Sequence, residues 1–183
     1  MILDMQLKPQ DLLVILKILA RAGEAWNYNS LAVDLFMSPA EVHQGVKRAT
    51  AAGLLIKDPR AKDSRSGRAY VPNKSAIADF LLHGVRYVFV PELGGETRGV
   101  PTAHAAPPLK SKIVQSDALP PVWPSADGTV RGLAFSPIYR SAPQAAGRDE
   151  ILYELLALVD ALRAGRARER ELAGKEIELR LKP

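Results

Sequence analysis

A chain of 183 residues with 47% hydrophobic and 25% charged side chains can bury a core and is not the composition of a disordered or fibrous chain. It has no cysteine, which excludes a disulfide scaffold, thiolate metal ligands and a cysteine nucleophile. The formal net charge of +5 is unevenly placed: residues 1–74 hold eleven Lys/Arg against seven Asp/Glu, 75–147 hold six against five, and 148–183 hold eight of each.

Taken in chain order, residues 9–22 predict a helix. Pro9 suits the first helical position, Leu12, Leu13, Leu16 and Leu19 recur at helical spacing, and Gly23 stops the run. Ser30 is expected to cap a second helix through about Phe36. Ser38-Pro39-Ala40-Glu41 then combines an N-cap, a proline at N1 and an acid at N3, the signature of a capping box. The helix it starts should run to about Ala52, with Val42, Val46 and Ala49 inward and Gln44, Lys47 and Ala51 outward. Leu54-Leu55-Ile56 and Ala69-Tyr70-Val71 read as paired strands around a charged loop, 57–68. A further helix is expected from about Ser75 to Val88.

Nine of the 14 prolines fall in 91–143, so regular helix is not expected there. The stretch ELGGETRG at 92–99 reads as a turn, and Val122-Trp123, Val130–Phe135 and Ile138-Tyr139 as short strands or packed loop. From Asp149 one long amphipathic helix is expected. Ile151, Leu152, Leu155, Leu156, Val159 and Leu162 make its apolar face, which either dimerises or packs within the chain. Arg163, Arg166, Arg168 and Arg170 follow as a solvated or partner-facing run.

The expected fold class is therefore α+β, mainly α: an N-terminal winged helix-turn-helix with a small β-wing (1–90), a proline-rich irregular segment (91–148) and a C-terminal amphipathic helix (149–183). A helix held by two others matches the width of a DNA major groove. On that helix Ser38 and Pro39 mark the start, His43 and Gln44 can meet groove atoms, and Lys47 and Arg48 can reach guanine edges or phosphates. Arg60, Lys62, Arg65 and Arg68 would lie along the backbone or minor groove. The same helix could equally be a solvated or protein-binding face, and the loop charges a plain solvated loop. His83 is read as a satisfied core or interface residue and His104 as isolated in a loop.

Residues 27–71, with LFMSPAEVHQGVKRATAAGLL at 35–55, resemble the winged helix-turn-helix of bacterial transcription regulators of the MarR type. The resemblance implies a dimeric double-stranded DNA-binding regulator, with Gln44, Lys47 and Arg48 on the groove-facing helix. The long proline-rich stretch departs from that family, whose dimers form through helices packed at both ends. The alternative is a protein-interaction module, such as an antitoxin-like autorepressor holding a partner protein through residues 91–183.

No carboxylate pair, Ser/His/Asp order, cofactor fingerprint or metal-ligand spacing stands out, so neither catalysis nor a cofactor or metal is expected. No apolar run approaches the roughly 20 residues that span a bilayer, and Asp4 interrupts any leader-like start. The expectation is a cytoplasmic protein without membrane contact.

Overall fold

The computed structural model describes residues 5–58, 69–114 and 117–182. They form an α+β, mainly α architecture. Its elements are α1 (Pro9–Ala20), α2 (Tyr28–Leu35), α3 (Pro39–Ala51), β1 (Leu55–Lys57), β2 (Tyr70–Pro72), α4 (Lys74–Asp79), α5 (Val85–Val88), β3 (Leu93–Pro101), β4 (Pro121–Pro124), β5 (Val130–Phe135), α6 (Ala142–Ala146), α7 (Glu150–Ala164) and α8 (Ala167–Arg180). A π-helical turn, Phe80–Gly84, joins α4 to α5.

Local chemistry explains the starts of the first three helices. Pro9 occupies the first turn of α1, and Asp11 accepts the Lys8 backbone N–H at 2.8 Å. In α2 the cap is Asn27 rather than Ser30. Asn27 accepts from the Ser30 N–H at 2.8 Å, and the Ser30 hydroxyl accepts from the Asn27 N–H at 3.1 Å. The helix thus begins earlier than expected, because Asn27, three residues upstream, takes the capping role. At α3 the capping box is reciprocal: Ser38 Oγ accepts the Glu41 N–H, and Glu41 Oε2 accepts the Ser38 N–H.

β1 and β2 pair antiparallel, with Ile56 opposite Val71. The segment 92–99, expected as a turn, lies almost wholly in β3, the longest strand. β3 pairs antiparallel with β4 and β5, while β4 and β5 pair parallel, closing a three-stranded barrel. So few strands leave almost no interior, and the backbones approach closely. A Cβ on Gly99 would stand 2.1 Å from the Trp123 carbonyl oxygen, and one on Gly132 would stand 2.2 Å from that of Pro120. Of the segments expected as short strands or packed loop, Val122-Trp123 and Val130–Phe135 are strands, and Ile138-Tyr139 is loop with Ile138 buried.

The expected single C-terminal helix is two helices, α7 and α8, broken at Gly165 and Arg166, whose backbones are extended. The leucine face of α7 is used inside the chain: α7 packs against α1, α5, α6 and α8. Only Ile151 of the expected stripe is exposed, at 55%. α1 is apolar nearly all round, with Leu12 through Leu16 fully buried. It lies between α2 and α3 on one side and α7 on another. One apolar core therefore takes residues from 1–90, 91–148 and 149–183 alike.

Polar bonds cross the same boundaries. Lys17 of α1 donates to Asp149, the α7 N-cap, at 2.7 Å and also meets Asp34 of α2 at 3.2 Å. The Asp160 carboxylate, buried on α7, accepts from Thr102 Oγ1, Trp123 Nε1 and Arg163 Nη1, each at 2.7 Å. Burial raises the Asp160 carboxyl above its ordinary value, against the pull of Arg163 and the other donors. Arg163, expected in a solvated run, is instead buried and donates through Nε to the Phe89 carbonyl at 2.7 Å.

Candidate nucleic-acid interface

α3 presents one uninterrupted solvent face. Ser38, Pro39, Ala40, His43, Gln44, Lys47 and Ala51 are all exposed, whereas Val42, Gly45, Val46 and Ala49 are buried against α1 and α2. The face carries one cation, one amide and one imidazole among small residues, so a flat polar surface could approach closely.

Arg48 does not belong to this face. Its guanidinium is turned inward and forms a bidentate pair with Asp11 of α1, Nε to Oδ2 at 2.7 Å and Nη2 to Oδ1 at 2.6 Å. Asp11 is fully buried. The reason lies in the helical period: Arg48 follows Gly45 on the side toward α1, and the missing side chain at Gly45, whose Cβ would sit 3.2 Å from Asp11 Oδ1, leaves room for α1 to approach. The expectation that Arg48 reaches a groove is corrected: it holds α3 against α1. Arg60, Lys62, Arg65 and Arg68 lie outside the described residues.

On the flank toward β2, α3 borders a cleft of about 470 Å³ lined by Tyr28, His43, Lys47, Thr50 and Tyr70, with Val46 and Ala51. Trp26, Tyr28 and His43 form a run of edge-on ring contacts, 5.8 Å and then 5.1 Å between centroids. Burial, with Tyr70 nearby, raises the Tyr28 phenol above its ordinary value, so it stays a neutral hydroxyl able to donate. This aromatic border was not legible in the sequence because His43 and Tyr70 lie far along the chain from Trp26 and Tyr28.

The opposite flank, beside Gln44, is closed from the distal half of the chain. Tyr139 Oη donates to Glu41 Oε1 at 2.9 Å, and Arg140 stands 4.0 Å from the same carboxylate with its side chain 81% exposed. The Arg148 guanidinium lies 4.4 Å from the centroid of the Phe36 ring, over the turn that precedes α3. The Ser38 backbone N–H, followed by the Ser38 and Tyr139 hydroxyls, holds the Glu41 carboxyl below its ordinary range.

The remaining histidines lie elsewhere. His83 is exposed rather than a core residue, and His104 stands with Nδ1 3.4 Å from Glu169 Oε1. Among the described residues no group of three or more His, Asp or Glu side chains could hold a metal ion, and no helix is long and apolar enough to cross a membrane.

Comparison with known protein families, curated proteins and solved structures finds no match.

Proposed function

We propose that the protein binds double-stranded DNA as a transcription regulator through a winged helix-turn-helix, with α3 as the recognition helix. The observation that carries this reading is the composition of the free face of α3. Gln44 and Lys47 project from a row of small residues, on a helix fixed from behind by the Arg48–Asp11 pair. Gln suits the adenine edge and Lys the guanine edge or a phosphate. Tyr28 and Tyr70 offer hydroxyls on one flank, and Arg140 and Arg148 offer charge on the other. Both flanks fit the backbones that border a major groove. In this reading the β1–β2 ribbon that follows α3 in the chain serves as the wing. A homodimer would set two such helices about 34 Å apart, one turn of the duplex.

The test is fluorescence anisotropy with DNA from upstream of the protein's own gene and with a scrambled duplex, across a salt series. The expected result is a preference of tenfold or more for the upstream DNA that persists at physiological salt. Gln44→Ala should shrink that preference by roughly 1–3 kcal/mol, and Lys47→Ala should weaken binding and lower the salt slope by about one. Weak, equal, salt-sensitive binding to both duplexes would overturn the reading and turn attention to a protein partner.

A further inference from the structure

Exposed apolar side chains are ordinarily scattered over a protein surface. Here several gather in one concavity. Leu93 of β3, Leu133 of β5 and Leu119 of the chain leading into β4 are 70%, 45% and 39% exposed, and all line one cleft whose floor includes Phe135. The cleft encloses about 440 Å³, within the roughly 300–1,000 Å³ of small-ligand sites. One side is polar. Arg166 and Arg168, at the start of α8, line it beside His104 and Glu169. The Glu169 carboxylate is already engaged, by the Arg166 backbone N–H at 2.9 Å and by His104 at 3.4 Å. Arg166 is exposed, and among the described residues Arg168 pairs with the exposed Glu171 at 3.1 Å.

An apolar trough with guanidinium groups at one edge selects a molecule with an apolar body and a single anionic head. A guanidinium holds a carboxylate through two parallel N–H donors, and displacing water from Leu93, Leu119 and Leu133 supplies the hydrophobic contribution. We infer that this cleft binds a small amphipathic monocarboxylate, with the carboxylate at Arg166 and Arg168 and the apolar body against Leu93, Leu119, Leu133 and Phe135. The site is separate from α3 and does not depend on the DNA-binding reading.

The test is isothermal titration calorimetry of the full chain with decanoate below its micellar concentration at fixed ionic strength. Decanol and decyltrimethylammonium serve as the neutral and cationic counterparts. Decanoate should bind saturably at one site and at least tenfold more tightly than either counterpart. Leu133→Glu, an exposed position that leaves the core intact, should abolish the binding. The double variant Arg166→Gln/Arg168→Gln should weaken it at least tenfold, with the thermal unfolding transition of both variants preserved. Three outcomes overturn the inference: no saturable decanoate binding, equal binding of all three amphiphiles, or decanoate binding unchanged in the two variants.

Discussion

Among the described residues two arginine–carboxylate pairs are buried, Arg48 with Asp11 and Arg163 with Asp160, and each joins elements far apart in the chain or carries bonds to them. A buried pair of this kind contributes little over a well-packed apolar pair, but removing one partner strands a charge. Asp11→Ala is therefore expected to lower stability by roughly 3–5 kcal/mol in urea denaturation. The double variant Asp11→Leu/Arg48→Met should lose less than that single one. A double variant that is worse than Asp11→Ala would show that the pair itself, and not the desolvated charge, governs stability. The same pair explains a limit of the sequence. Arg48 looks like a DNA contact because arginine is the usual phosphate ligand, and only its position relative to Gly45 and α1 reveals that it faces inward.

At the scale of elements, legibility follows locality. The start of α3 is written in four adjacent residues, Ser38 to Glu41, and the capping box forms as those residues imply. The exposed face that follows, His43, Gln44 and Lys47, is set by helical period and was equally readable. β3 was not readable. Its residues Gly94 to Arg98 show no apolar alternation, since Glu96 and Arg98 face solvent and the chain shifts register between Leu93 and Glu96. What makes it a strand is closure with β4 and β5, a long-range pairing with Gly99 and Gly132 at the tight points. Gly132→Ala is accordingly expected to destabilise by more than about 2 kcal/mol, because the new methyl meets the Pro120 carbonyl. Retention of the wild-type melting curve by circular dichroism would contradict this close-approach account.

Across the whole molecule, charge pairs bind the two halves and make stability depend on acid. Burial raises Asp149, but Lys17 and the Leu152 N–H outweigh it and leave the carboxyl below its ordinary value. Asp34 is treated the same way by Arg21 and Lys17. Ordinary aspartate titrates near 4, and the folded values lie lower. The stabilisation is complete above about pH 4 and disappears as pH falls through the folded values. Asp149→Asn retains a capping side chain for α7 while removing the charge. The stability gap between wild type and this variant should be present at pH 7 and shrink as pH falls below about 4, in denaturant titrations. A gap that stays constant with pH would assign the effect to packing.

The burial of α1 reaches beyond stability. A helix apolar nearly all round needs neighbours on every side, and α1 takes them from both ends of the chain, α2 and α3 before it closes and α7 long after. A chain ended after Val90 would leave one side of α1 bare, and is expected to be insoluble or to lack a cooperative melt. Seen as inheritance, the segment that carries α3 is not a cassette. Recombination could not move it onto another body, as it moves self-contained modules, without supplying a substitute for α7. The surface around α3 and the cleft beside α8 would therefore have been passed on together, as one heritable unit.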